Sequence, residues 1–236
     1  MEDVVLLAGG TGTRLRPYTT VLPKPLMPVG DMPVLEILLR RLAAAGLVRV
    51  NLAVGHLAEL IEAYFGDGSR FGVELVYWRE DEPLGTAGPI ARMGLDGDRV
   101  LVMNGDLLTT LDFAPLLDEH QSSGATATIA VLSREVPIDF GVVHLDGDTV
   151  ASFEEKPVLS YNVSMGVYVF ERRVVELIPS GEHYDFPELL GSVLERGWPV
   201  HAYRSGDFWL DIGRPEDYKL ALDSFADVRD DLLPPQ

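Results

Sequence analysis

The sequence predicts an α/β fold with a mainly parallel sheet, and three observations carry that prediction. Through the first half of the chain, short apolar runs alternate with segments of helical periodicity, the pattern of parallel strands joined by helices on both faces. The second half is richer in strand-like runs separated by turn residues. At 236 residues, 47% of them hydrophobic, the chain is long enough for one large domain with a sizeable core.

Taken in order, residues 4–8 form an apolar first strand. Residues 34–45 have helical spacing and stop at Gly46, a glycine at a helix end. A strand over 50–54, a helix over 58–65 and a strand over 73–78 follow, then a short helix over 89–93 and an apolar strand over 100–103. A helix over 113–121 leads to a strand over 126–132. Runs 140–145 and 149–154 flank Asp146-Gly147-Asp148, a hairpin turn. A strand over 161–170, a helix over 186–196 and short strands over 200–203 and 208–212 come next. The closing helix starts near Pro215, where proline suits the first turn. No repeat or linker divides the chain, so one domain over 1–226 is expected, followed by an acidic tail over 227–236 that ends Pro-Pro-Gln and frays.

Composition narrows the function classes. There are no cysteines, which excludes disulfides, thiolate metal sites and a cysteine nucleophile. The N-terminus has no basic segment leading into a long apolar one, and no apolar run approaches membrane-spanning length. A cytoplasmic protein with no membrane partner is therefore expected. A net charge of −18 argues against nucleic acid as a partner, which needs a basic face. The five histidines (His56, His120, His144, His183 and His201) show no metal-ligand spacing. No serine has the context of a hydrolase nucleophile.

Residues 4–28 carry the densest chemical information. The first apolar run stops at Gly9, Gly10 and Gly12, and Arg14, Arg16 and a Lys24 held between two prolines follow. Glycines after a buried strand let backbone N–H groups approach an anion closely, because no Cβ intervenes. Basic side chains beyond them can neutralise a polyphosphate. The arrangement predicts a nucleoside triphosphate site; the competing reading is a glycine turn with solvated Arg and Lys. It is not a Walker loop, because Thr13-Arg14 follows Gly12 in place of Lys-Ser or Lys-Thr. Nor is it a dinucleotide fingerprint, because Leu15 stands where the third glycine belongs.

Gly9 to Thr19, followed by Pro23-Lys24-Pro25, resembles without a gap the signature of the sugar-1-phosphate nucleotidyltransferases, or nucleotide-sugar pyrophosphorylases. At least five motifs in family order extend the resemblance to about Phe225. It implies a Rossmann-like three-layer α/β fold with a mixed, mainly parallel central sheet and a small β-rich sugar-side region. It also implies Mg²⁺-dependent transfer of a nucleotidyl group from an NTP to a sugar 1-phosphate, giving an NDP-sugar and pyrophosphate. Leu7, Ala8, Gly9, Gly10, Gly12 and Thr13 would cradle the nucleotide. Arg14 would stabilise the leaving phosphates, and Lys24 would contact the α-phosphate.

The remaining motifs each have two readings. Asp106, in Met103-Asn104-Gly105-Asp106, follows an apolar strand and is either a turn residue or a ligand for Mg²⁺, which prefers carboxylate, water and phosphate oxygens. Asp211, in Trp209-Leu210-Asp211-Ile212-Gly213, is either a helix cap or a second metal carboxylate. The resemblance implies the metal role for both. Glu154-Glu155-Lys156-Pro157 reads alone as a solvated turn. The resemblance has Glu155 accept from sugar hydroxyls, Lys156 pair with the sugar phosphate, and the backbone of Gly141 face the sugar.

Glu82-Pro83-Leu84-Gly85-Thr86-Ala87-Gly88 is either a helix entry or the family's base-recognition loop. In that loop Gly85, Thr86 and Gly88 would contact the nucleotide. Its Leu-Gly-Thr-Ala-Gly form looks most like the guanylyltransferase branches, such as mannose-1-phosphate guanylyltransferases, and favours GTP. Ser164, with Gly166 two residues on, stands where the mannose enzymes carry Asn. A hydroxyl cannot make the same two-ended amide contact, so mannose is less favoured. The alternatives are dTTP or UTP with glucose 1-phosphate, a cyclitol phosphate acceptor, or a non-catalytic nucleotide-sugar sensor. A homo-oligomer is compatible with the sequence but not specified by it.

Overall fold

The computed structural model describes residues 2–233. The chain runs through β1 (Glu2–Ala8), β2 (Pro28–Val29), β3 (Met32–Pro33), α1 (Val34–Ala44), β4 (Arg49–Val54), α2 (Ala58–Phe65) and β5 (Glu74–Arg79). It continues through β6 (Arg99–Asn104), β7 (Leu107–Thr109), α3 (Phe113–Ser123), β8 (Ala127–Pro137), β9 (Val142–Asp146) and β10 (Thr149–Glu154). It ends with β11 (Val158–Glu171), α4 (Arg172–Val175), α5 (Phe186–Glu195), β12 (Val200–Ser205), β13 (Trp209–Asp211) and α6 (Pro215–Leu232).

Seven strands form the central sheet in the order β12-β8-β11-β6-β1-β4-β5. β6, β1, β4 and β5 are mutually parallel, and β12 is parallel to β8. β11 runs antiparallel to both its neighbours, so the sheet is mixed and mainly parallel as expected. Alternate side chains of each strand face opposite sides, which gives two cores. On one side Val4, Leu6, Leu52 and Leu101 pack with Leu38 of α1, Ile61 of α2 and Phe113 of α3. On the other, Val5, Val100, Val102 and Phe170 pack with Phe186 and Leu189 of α5.

The β-rich region is built from the protruding halves of β8 and β11 and the separate β9–β10 hairpin. That hairpin turns at Gly147, whose φ of 59° needs a residue without a Cβ. Phe140, Leu145, Val150 and Phe153 stay exposed there.

Two features differ from the sequence reading. The strands β2, β3 and β7 have two or three residues each, too few for any periodicity to register. The closing helix runs past residue 226 to Leu232, so most of the expected tail is helical. Asp227, Asp230 and Asp231 are exposed, which makes the segment look like a solvated tail. Val228 and Leu232, four residues apart, instead face the core shared with Val34, Leu108 and Leu210. Arg41 secures the end by donating to the carbonyl of Asp231 at 2.7 Å. Residues 234–236, with the frayed Pro-Pro-Gln end, lie outside the described residues. Leu232→Ala should cost about 2–5 kcal/mol in urea denaturation; a change below about 0.5 kcal/mol, the level of ordinary surface substitutions, would mean the helix end is not part of the core.

At the amino ends of β6 and β1, opposite the strand ends discussed below, lies a cavity of about 380 Å³ lined by Asp98, Arg99, His120, Glu171 and Arg173, among others. His120 is fully buried, with Nδ1 2.8 Å from the Thr128 hydroxyl and Nε2 3.4 Å from Glu171. Burial lowers its pKa, outweighing the raising effect of Glu171; Arg99 and His201 lower it further. In the unfolded chain the same imidazole takes a proton near pH 6.5. Just below that pH the unfolded state binds more protons than the folded one, so stability falls as pH falls. Denaturation midpoints should therefore drop below about pH 6.5, and His120→Gln should flatten that drop. An unchanged pH dependence in the variant would refute the assignment. Among the described residues, no helix is long and apolar enough to cross a membrane.

Candidate active site

The carboxyl ends of β1 and β6 lie side by side, because these strands pair in register up to Leu7 and Asn104. Gly105 donates to the Leu7 carbonyl at 2.8 Å, and a Cβ at 105 would come within 2.9 Å of that oxygen. Glycine there lets the Asp106 turn sit against the end of β1. β7 then pairs antiparallel with β13, placing Asp211 opposite Leu107, and Ile212 donates to the Asp106 carbonyl at 3.2 Å. This short ladder brings the two strand-end carboxylates together.

Lys24 enters from a 3-10 turn (Lys24–Leu26). The flanking Pro23 and Pro25 are buried, and each proline ring restricts its own φ. The ammonium ion-pairs with Asp106 Oδ2 and lies 3.7 Å from Asp211 Oδ1. One cation against two carboxylates leaves the cluster formally negative. Asp106 Oδ1 and Asp211 Oδ1 are both buried without a hydrogen-bond partner, a costly arrangement for a carboxylate. Burial first, and the Asp106 charge second, push the Asp211 pKa up, against the pull of Lys24 and Arg14. Orphaned carboxylate oxygens in a net-negative cluster are the donor set that suits a hard divalent cation.

The glycine loop leads into Arg14, whose charge acts on Asp211. Gly12 has a φ of 61°, and the buried Thr19 hydroxyl donates to its carbonyl at 2.7 Å. Leu15 is fully buried and anchors the turn that carries the exposed Arg14. The Arg14 guanidinium lies beside Gly213: a Cβ there would be 3.7 Å from Nη2. Around Gly10 the Cβ direction is open space.

Glu80 joins the candidate site through contacts that the sequence did not reveal. Within Arg79-Glu80-Asp81-Glu82 it reads as one member of a solvated charge run. In the fold it is half-buried: its Oε2 accepts from the Leu84 N–H at 3.2 Å, and its Oε1 lies against Gly9, where a Cβ would collide with it. Burial raises its pKa, while the Leu84 N–H and Arg92 pull it down. The carboxylate therefore bridges the glycine loop and the 83–88 loop. The latter is held by the segment before α5. Tyr184 donates to Leu84, and the N–H groups of Ala87 and Gly88 both donate to Tyr184, each at 2.9 Å. Gly85 has a φ of 80°, and the Thr86 N–H and hydroxyl donate to Asp185 at 2.8 and 3.0 Å. The polar groups of Thr86 are thus engaged within the protein.

On the β-rich side, Gly141 lies next to Glu155: a Cβ at 141 would be 3.3 Å from Oε2. Lys156 has a φ of 47°, a left-handed conformation that a lysine adopts at a cost. Ser164 donates to the Tyr168 hydroxyl at 3.0 Å and accepts from the Gly166 N–H at 3.2 Å. Gly166 lies against Asn104, whose Nδ2 would be 2.6 Å from a Cβ at 166. Ser164 and Gly166 are therefore joined to the Asp106 turn. Among the described residues, no hydrogen bond or ion pair joins Gly141, Glu155 or Lys156 to Lys24, Asp106 or Asp211. His183 lies with Asp185 and Glu188, their ligand-type atoms within 4.8 Å of one another. Both carboxylates are already used in the capping box of α5.

The structure thus combines a mixed, mainly parallel sheet with a glycine loop, a half-buried lysine and two carboxylates paired at its strand ends. The sequence profile of the nucleotidyl transferase family matches residues 3–227, and the chain belongs to that family. It is 41% identical over 226 residues to a mannose-1-phosphate guanylyltransferase of Mycobacterium tuberculosis. It is 36% identical over 239 residues to a UTP–glucose-1-phosphate uridylyltransferase of Synechocystis. Each match covers 92% of this chain and 62% of the relative, so the chain spans about three fifths of the curated relatives it matches. Among solved structures, a putative glucose-1-phosphate thymidylyltransferase of Bacillus anthracis in complex with a sucrose superposes with a TM-score of 0.77 at 27% identity, covering 98% of this chain and 96% of that one. HddC from Yersinia pseudotuberculosis complexed with GMP-PN superposes with a TM-score of 0.75 at 28% identity, covering 95% and 100%.

Proposed function

We propose that the protein transfers a guanylyl group from GTP to a sugar 1-phosphate in the cytoplasm, releasing pyrophosphate and a GDP-sugar. The observation that carries this reading is Lys24 set against Asp106 and Asp211, each with an orphaned oxygen, at the end of β1 that feeds the glycine loop. Asp106 and Asp211 would hold Mg²⁺, which when bound supplies charge neutralisation at the reacting phosphate. An oxygen of the sugar phosphate attacks the α-phosphorus, and the bond to the bridging oxygen of pyrophosphate breaks in line. The protein need only position reactants and stabilise charge. Lys24 contacts the α-phosphate, Arg14 the leaving phosphates, and the backbone from Leu7 to Thr13 cradles the triphosphate. Gly85, Thr86 and Gly88 shape the base pocket. Gly141, Glu155, Lys156, Ser164 and Gly166 receive the sugar phosphate.

Glu80 supports guanine. The Watson–Crick edge of guanine offers two neighbouring donors, N1–H and the 2-amino group, to a carboxylate. Uracil and thymine offer one donor between two acceptors, which a carboxylate repels. The relation to a guanylyltransferase of M. tuberculosis points the same way. The uridylyltransferase relative favours a second reading, UTP with glucose 1-phosphate. Pyrophosphate release measured with GTP, dTTP, UTP, ATP and CTP against mannose, glucose, glucosamine and N-acetylglucosamine 1-phosphates separates the two. Strong turnover with GTP is expected. Turnover with UTP or dTTP alone would keep the mechanism and overturn the base, and silence in every combination would overturn the reaction.

A further inference from the structure

Asp185 has no part in the chemistry above, yet its carboxylate sits at the junction of two structures. It accepts from both the N–H and the hydroxyl of Thr86 through one oxygen, Oδ1. Thr86 in turn accepts from the Phe186 N–H at 2.9 Å through its hydroxyl. The same carboxylate caps α5 in a capping box with Glu188, whose side chain accepts from the Asp185 N–H at 2.8 Å. The contact is close: a Cβ at Gly85 would meet the Tyr184 carbonyl at 2.7 Å and Asp185 Oδ1 at 2.8 Å. Asp185 is far from Thr86 in sequence, and nothing in the 83–88 segment announces its partner.

We infer that Asp185 is the positioning residue of the base loop, clamping Thr86 so that residues 83–88 are already in their nucleotide-binding conformation before the nucleoside triphosphate arrives. The inference rests on the reading of 83–88 as the base loop. Without the clamp the loop keeps its tie to Tyr184 but loses two charge-assisted hydrogen bonds at its centre, and nucleotide binding must then order it. That cost falls on binding of the nucleotide, because Asp185 touches no reacting atom. The side chain of α5 residue Phe186 lies under the clamp, stacked on Tyr168 with ring centroids 4.5 Å apart, so the clamp stands on the rigid core.

Asp185→Ser tests this cleanly. Serine is as good a helix N-cap as aspartate, so α5 keeps its cap, but its hydroxyl is too short to reach Thr86. The assay uses whichever nucleoside triphosphate the wild type turns over best. KM for that nucleotide should rise about tenfold, equivalent to one lost hydrogen bond to a charged group. KM for the sugar phosphate and the melting temperature should stay close to wild type. Asp185→Asn, which keeps an oxygen facing Thr86, should recover most of the loss. Combining Asp185→Ser with Thr86→Val should add little to either single change. Unchanged nucleotide KM in a turning-over Asp185→Ser enzyme overturns the inference alone. A parallel rise in both KM values, or a fall in kcat with KM unchanged, overturns it in favour of a general structural role. A wild type that turns over no nucleotide removes the base-loop reading and this inference with it.

Discussion

Replacing Arg14 with alanine should lower turnover at least about a hundredfold, the effect of removing one donor aimed at developing charge, while the melting temperature hardly moves. The side chain is exposed on its turn and takes part in no ion pair within the described residues, so the folded protein loses almost nothing with it. In the proposed reaction the loss should be about 3–4 kcal/mol of transition-state stabilisation, because the leaving pyrophosphate would gather negative charge as the bond to the α-phosphorus breaks. Leu15, buried next in sequence, fixes where the guanidinium starts, and Gly213 leaves the room it occupies. Steady-state kinetics and thermal denaturation of one preparation check both halves. Near-wild-type turnover would remove Arg14 from the mechanism.

Glu80→Gln should invert nucleotide preference rather than simply weaken the enzyme. A carboxylate oxygen accepts from a donor of guanine. With the amide oxygen kept on Leu84, the amide NH2 faces the base instead, where it opposes guanine's donors and can donate to a carbonyl of uracil or thymine. Losing one charge-assisted bond and leaving a donor opposed to a donor should cost GTP about a hundredfold in kcat/KM. Efficiency with UTP or dTTP should rise over the same substitution. The amide can still accept from Leu84 N–H, so the tie to the 83–88 loop is kept. Equal losses for all nucleotides would mean that Glu80 braces the two loops without reading the base.

These two residues show what was legible in the chain. Arg14 belongs to an unbroken run from Gly9 to Thr19, where glycine spacing, a basic group and a following proline-flanked lysine all state one chemistry locally. The helix α2 is bounded in the structure just as its periodicity predicts, and the β9–β10 hairpin turns at its Asp-Gly-Asp signal. Glu80 and Asp185 were illegible, because each matters only through a partner brought close by the fold: Gly9 and Leu84 for one, Thr86 for the other. The end of α6 misled for a related reason. Its acidic residues advertise solvent, while the two apolar side chains that hold it face a core built from β7 and β13.

By itself the sequence determined the α/β class, the strand that feeds the glycine loop and the identities of the charged groups, since these follow from local periodicity and from motifs read along the chain. The resemblance already implied that Asp106 and Asp211 share a metal; only the tertiary structure decided that Lys24 joins them in one cluster. Their meeting depends on β1 pairing with β6 and on the three-residue ladder of β7 with β13. Register between distant strands is set by which faces can be buried together, and no local stretch of sequence contains that information.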